Sequence, residues 1–237
     1  ATDVGQVRML NEDSLIEVSV SSVFRSTGIP IGVFGVADGM GGHSAGDVAS
    51  RTASRVIVQR ATTDILARAA NGEPLPDPEE WLRETILAAN QAVFEKRRAA
   101  ENDMGTTLVV ALVAGDQVTI ANVGDSRAYR LRREEIVQIT TDHSLVERLV
   151  SVGQISREEA AIHPQRNVIY RTIGDKPDVE VDLYRQPLLP GEALLLCSDG
   201  LSGPVPDEKI WHIWRTSTSP QEACERLVEA ANQGGGE

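Results

Sequence analysis

The chain has 237 residues, a formal net charge of -12, and 41% hydrophobic against 24% charged residues. That length can bury a sizeable core in one large domain rather than two small ones. The acidic excess argues against a nucleic-acid or anionic-membrane binder. No apolar stretch approaches membrane-spanning length or opens the chain as a leader, and the reading is a cytoplasmic protein.

In chain order, the first landmark is an acidic cluster, Asn11-Glu12-Asp13, before strand-like sequence ending in Ile31-Gly-Val-Phe-Gly-Val-Ala-Asp38-Gly39. From Ala45 to about Ala70, Ala49, Ala53, Val56 and Ile57 recur on one stripe, as in a helix. Asn71 to Pro78 reads as a loop. Asp77-Pro78-Glu-Glu80 then supplies an N-cap, a first-turn proline and an acidic third position for a helix carrying Leu82, Ile86, Ala89 and Val93.

A meander of antiparallel strands is expected next. Leu108–Val113 turns at Gly115-Asp116 into the strand from Val118, and Ala128–Arg132 turns at Arg133-Glu-Glu135 into Ile136–Ile139. Residues 142–172 read as short helical pieces around Gly153 and Pro164, with Asp142 and His143 opening one of them. Ala193-Leu-Leu-Leu-Cys is a buried strand that leads into Ser198-Asp199-Gly200. A final helix opens at a Ser219-Pro220-Gln-Glu222 box and turns Ala223, Leu227 and Ala231 inward. Two helices placed together between strand groups imply α+β layers, not βαβ units. Cys197 and Cys224 are expected as reduced thiols.

Three apolar runs thus deliver an aspartate beside a glycine: Asp38-Gly39, Gly124-Asp125 and Asp199-Gly200. Glu12 and Asp13 add two carboxylates. Acids gathered from distant segments repel one another unless cations neutralise them. Oxygen-only donors select Mg²⁺ or Mn²⁺ over zinc. Each motif also has a plainer reading: Asp38 as a helix cap, Gly-Asp-Ser as turn chemistry, Arg8 as an ion pair with Glu12 or Asp13. Ser126 and Ser198 have no base placed beside them in sequence, which argues against a serine nucleophile.

Taken together, the segments resemble the bacterial form of the metal-dependent protein phosphatases of the PPM type, also called protein phosphatase 2C. The resemblance runs in order through Gly5-Gln-Val-Arg8-Met-Leu-Asn11-Glu12-Asp13, Ala37-Asp38-Gly39-Met40-Gly41-Gly42-His43, Gly105-Thr106-Thr107, Ala121-Asn-Val-Gly-Asp125-Ser126-Arg127-Ala-Tyr129, Thr141-Asp142-His143-Ser144, His163-Pro-Gln-Arg-Asn167 and Leu196-Cys-Ser198-Asp199-Gly200-Leu201. It implies an α+β fold, a β-sandwich of two antiparallel sheets flanked by α-helices. It also implies two Mn²⁺ or Mg²⁺ ions per chain, bridged by Asp38. The Gly39 carbonyl, Asp199, Glu12 and Asp13 serve as further ligands, directly or through water. A third, weaker ion is implied near Asp125 and Asp199, and Arg8 grips the substrate phosphate.

The implied reaction is hydrolysis of phosphoserine and phosphothreonine in proteins by in-line attack of a metal-bridging hydroxide, opposing a cytoplasmic Ser/Thr kinase. A monomer is expected. Met40 stands where eukaryotic relatives have a proposed acid histidine, and that role is not transferred to His43. His163 to Asn167 closes a loop region used as a flap. Family members continue into an Asp-Asn-Ile-Thr-type strand, so the expectation is one catalytic domain, 1–237, lacking that strand. The rival reading is a phosphatase-like binding module with weak or no catalysis. A two-metal hydrolase of small phosphoesters is a second.

Overall fold

Strand β1 (Asp13–Phe24) doubles back as β2 (Thr27–Met40), and all of β1 pairs antiparallel with β2 as far as Asp38. The computed structural model describes residues 1–24, 27–41 and 45–236, so His43 and Glu237 lie outside the described residues. After β2 come α1 (Ala45–Arg60), a π-helical turn over Ala61–Leu66 and α2 (Ala67–Asn71), one continuous helical run as the apolar stripe predicts. Helix α3 (Pro78–Ala100) starts where Asp77 Oδ1 accepts from the N–H groups of Glu79 and Glu80 at 3.1 and 3.0 Å. Such a cap is worth about 1 kcal/mol.

The short β3 (Gly105–Thr106) leads through Thr107 into β4 (Leu108–Ala114), which turns into β5 (Gln117–Val123). These strands build one sheet in the order β1-β2-β4-β5-β8, with β3 also on β2 and β8 spanning Asp182–Pro187. The second sheet has the order β7-β6-β9, from β6 (Arg127–Leu131), β7 (Ile136–Gln138) and β9 (Ala193–Cys197). The expected meander is therefore broken. The chain leaves the first sheet after Val123 and enters the second at Arg127, while β5 takes β8 as its other neighbour. A two-residue side-chain period fixes which faces are buried but not which strand lies alongside.

The described layers run helices, sheet, sheet, helices. Leu108, Val110 and Leu112 of β4 point into a core with Ile57 of α1 and Leu82, Ile86 and Val93 of α3. Val109 and Ala111 point the other way, toward Val36, Ile120 and Ala128, with Leu194 and Leu196 packed against them. Burial on both faces is why β4 reads as an unbroken apolar run. Beyond the second sheet, α7 (Asp207–Thr216) and α8 (Pro220–Gln233) bury Ile210, Ile213 and Leu227 with Val205. Ser219 caps α8 through Glu222 N, but the Glu222 carboxylate reaches Thr218 N at 2.7 Å, one residue earlier than a reciprocal box requires.

Helices α4 (Leu145–Ser151) and α5 (Arg157–Ala161) form the excursion between β7 and β8. Helix α4 is capped by Ser144, not opened by Asp142 and His143. Among the described residues no helix is long and apolar enough to cross a membrane. Cys197 and Cys224 are both free thiols, and burial pushes Cys197 up to about 12, which leaves it inert.

Candidate active site

Asp13 opens β1 and lies directly across the ladder from Asp38. Register partners share a face, and Val36, two residues before Asp38, lies in the core between the sheets. The pleat therefore turns both carboxylates toward the second sheet. From that sheet, β9 delivers Ser198 and Asp199, which opens the single turn α6 (Asp199–Ser202). Ser198 Oγ donates to Asp13 Oδ2 at 2.9 Å, tying the two sheets together at the acids. Asp125 stands where the chain crosses from β5 to β6. Four sequence-distant aspartates thus meet at one seam, as their motifs anticipate.

Burial, and then the charges of their neighbours, raise three of them above the usual carboxylate range. Burial, and then the charges of Asp13 and Asp199, hold Asp38 well above the usual carboxylate range. Burial likewise raises Asp13, with Asp199 adding to it and Ser198 and Arg8 opposing. Asp125 is pushed up to about 7 by burial, Asp199 and Asp142. In the metal-free protein such acids favour the folded state only while protonated. For Asp125 that stability is full below the ordinary value of 3.8 and is lost as pH rises through about 7. Thermal unfolding in chelator is therefore expected to occur at lower temperature near pH 7.5 than near pH 5.5, with added Mn²⁺ stabilising most at the higher pH. Equal melting temperatures across that range would show that the acids do not burden one another.

The backbone around Asp38 is built for close approach. A Cβ on Gly39 would lie 2.2 Å from the Gly46 carbonyl oxygen of α1 and 2.6 Å from the Glu12 carbonyl oxygen. Only glycine lets the helix and the Glu12 segment close on the strand here. Gly39 N donates to Glu12 O at 3.2 Å, and buried Ser50 Oγ donates to the same oxygen at 2.6 Å. Gly124 has φ of 113°, and its Cβ would sit 2.6 Å from Thr107 Cβ.

Asp142 and His143 serve this crossing rather than forming a dyad. Asp142 is buried and takes a fork from Arg127, Nε to Oδ1 at 3.0 Å and Nη2 to Oδ2 at 2.7 Å. Arg127 Nη1 also donates to Tyr129 Oη, which donates to Asp207 of α7. His143 Nδ1 accepts from Gly124 N at 3.0 Å, while Nε2 lies 3.2 Å from Asp182 Oδ2 and 2.9 Å from Arg171 Nη1. Burial lowers His143 and keeps it neutral. Sequence reading missed this bracing, and also the hold of two threonines on Asp38, whose N donates to Thr107 Oγ1 at 3.1 Å and whose carbonyl accepts from Thr106 Oγ1 at 2.8 Å.

Arg8 is half-exposed, with Glu12 Oε2 at 4.0 Å as its resting partner. Both serines near the acids are engaged, Ser198 with Asp13 and Ser126 Oγ with Thr107 Oγ1 at 2.6 Å. Among the described residues no three His, Cys, Asp or Glu side chains converge tightly enough to chelate an ion as they stand. What fits a hard divalent ion is the donor chemistry: carboxylates gathered from both sheets that repel one another, opposed only in part by Arg8 at Asp13 and Arg127 at Asp125.

The protein phosphatase 2C family model matches residues 20–232. The chain is 41% identical over 241 residues to the serine/threonine phosphatase stp of Listeria monocytogenes, which covers 100% of this chain and 90% of that protein. It superposes on the serine/threonine phosphatase Stp1 of Staphylococcus aureus with a TM-score of 0.84 at 36% identity, over 100% and 89% of the two chains. The catalytic domain of the phosphatase PstP, solved in complex with 2 manganese ions, matches with a TM-score of 0.80 at 35% identity, over 99% and 90%. With the two-sheet fold and the acids at its seam already in place, these likenesses decide the assignment: the chain belongs to the protein phosphatase 2C family.

Proposed function

We propose that Asp38 and Asp13, with Asp199, Glu12 and the Gly39 carbonyl, hold two Mn²⁺ or Mg²⁺ ions, and that Asp125 and Asp199 offer a weaker third position. The chain is a metal-dependent protein serine/threonine phosphatase of the PPM family. The observation that carries the ligand reading is the crowding of four aspartates from two sheets, Asp125 buried and Asp13, Asp38 and Asp199 partly buried, beside one half-exposed arginine. Divalent ions held there would supply hydroxide near neutral pH and would neutralise phosphoryl oxygens.

The chain's own groups do the rest. Arg8, loosely held by Glu12, swings to grip two phosphoryl oxygens and orient the group for in-line displacement. Ser126 and Ser198 are committed to Thr107 and Asp13, which supports direct hydrolysis without a phosphoserine enzyme intermediate. Met40 offers no proton, so the leaving alkoxide takes one from water. The reduced thiols support a cytoplasmic setting, with phosphoproteins made by a Ser/Thr kinase as substrates.

The deciding experiment is phosphate release from a phosphothreonine peptide with Mn²⁺ titrated and a chelator control. Saturable Mn²⁺-dependent release is expected, and its absence at high Mn²⁺ would favour the binding-module reading. Faster turnover of nucleotides than of phosphopeptides would favour a small-phosphoester hydrolase. Arg8→Ala is expected to raise KM for the phosphopeptide roughly tenfold or more, the worth of a charge-assisted contact, with the Mn²⁺ dependence unchanged. An unaltered KM would remove Arg8 from substrate binding.

A further inference from the structure

We infer that the Thr107 hydroxyl is a positioning group that couples the Asp38 and Asp125 carboxylate segments through Ser126. This rests on the reading that Asp38 and Asp125 bind metal. Strand β2 runs against β3 and β4 in one register, Gly39 opposite Thr106 and Val36 opposite Val109, which sets Asp38 opposite Thr107. An ordinary antiparallel pair at this point exchanges two backbone bonds. Thr107 N does donate to Asp38 O at 2.9 Å. The return bond from Asp38 N goes instead to the side-chain Thr107 Oγ1 at 3.1 Å. The Thr107 carbonyl is engaged elsewhere, 2.9 Å from Thr106 Oγ1, and that hydroxyl also lies 2.8 Å from Asp38 O.

A ladder bond has thus been moved from backbone to side chain at the residue beneath the central acid. The same hydroxyl also makes a second contact. Thr107 Oγ1 lies 2.6 Å from Ser126 Oγ, beside Asp125. Thr106, Thr107 and Ser126 are all fully buried, so the link is shielded from competing water. The other branch of Thr107 packs on Gly124, whose added Cβ would stand 2.7 Å from Thr107 Cγ2. One side chain therefore sets both the height of Asp38 in its strand and the approach of the loop that carries Asp125. Groups that orient metal ligands in this way change metal affinity about 10- to 100-fold when removed.

Ser126→Ala cuts only the link, since Asp38 N keeps its acceptor. Thr107→Val preserves the branched shape but removes both contacts, and Thr107→Ser preserves the hydroxyl. Mn²⁺ binding to the full chain, measured by calorimetry or by loss of the free-ion paramagnetic resonance signal, is expected to weaken about tenfold in Ser126→Ala and at least as much in Thr107→Val. Thr107→Ser is expected to stay within about threefold of wild type, and excess Mn²⁺ is expected to restore kcat in Ser126→Ala with KM for the phosphopeptide unchanged. Wild-type Mn²⁺ affinity in Ser126→Ala would overturn the inference, as would a kcat that excess Mn²⁺ fails to restore. Asp38→Asn in the same titration separates the two levels. If it retains wild-type Mn²⁺ binding, the ligand assignment itself falls. If it loses binding while Ser126→Ala does not, only the Thr107 coupling falls.

Discussion

Asp38→Asn is expected to lower Mn²⁺-dependent phosphopeptide turnover by roughly 10³-fold or more while raising the melting temperature of the metal-free protein. Both effects come from the same charge. Asp38 is buried against Asp13 and Asp199, and its carboxylate is disfavoured by all three circumstances. An amide of the same shape removes that repulsion, a gain on the order of 1–2 kcal/mol near neutral pH, or about 2–4 °C per kcal/mol for a chain of this size. The amide is also a far poorer ligand for a hard cation. Turnover and stability measured on one preparation check this. Wild-type turnover would remove Asp38 from the metal site, and a lower melting temperature in chelator would mean that the charge is not a burden.

The second large effect concerns the ion pair behind the site. Arg127→Met is expected to destabilise the fold by roughly 3–5 kcal/mol, because it strands the Asp142 carboxylate in the interior. Asp142 would retain Gln138 Nε2 at 3.0 Å, a neutral donor that does not replace a guanidinium fork. The double change Arg127→Met with Asp142→Leu is expected to recover most of the loss, since a matched apolar pair carries no desolvation cost. Denaturant unfolding of both variants is the check. A loss below about 1 kcal/mol in the single variant would show that water reaches Asp142.

Much of this was written locally in the chain. The caps at Asp77 and Ser219, the stripe of Ala49, Ala53 and Ile57, and the acids beside glycines are short-range patterns whose physical cause lies within a few residues. What escaped reading depends on partners far away. Strand β8, Asp-Leu-Tyr-Arg-Gln-Pro, is polar and only half-buried, and it is a strand because β5 offers it a free ladder edge. Helix α7 has no side-chain cap, and Pro206 before it gives a weak start signal. The break of the meander at 124–126 is equally silent, because strand patterning is the same whichever sheet the chain joins. Asp142 and His143 precede a helix and so invite a capping role, yet their bonds run to Arg127 and Gly124. Thr107 carried no signal of its own, since a buried threonine in an apolar strand is ordinary until its hydroxyl is found in the ladder.

The crossing of the chain from one sheet to the other has a consequence for the lifetime of the enzyme. An ion bound among Asp13, Asp38, Asp125 and Asp199 would be held by both halves of the sandwich, so parting them would require releasing it. Binding free energy of that kind adds directly to the resistance of the folded state. Scarcity of divalent metal would then do more than silence the enzyme. It would leave the sandwich easier to open and the chain more exposed to proteases, so that the abundance of the phosphatase would follow the metal supply that its chemistry needs.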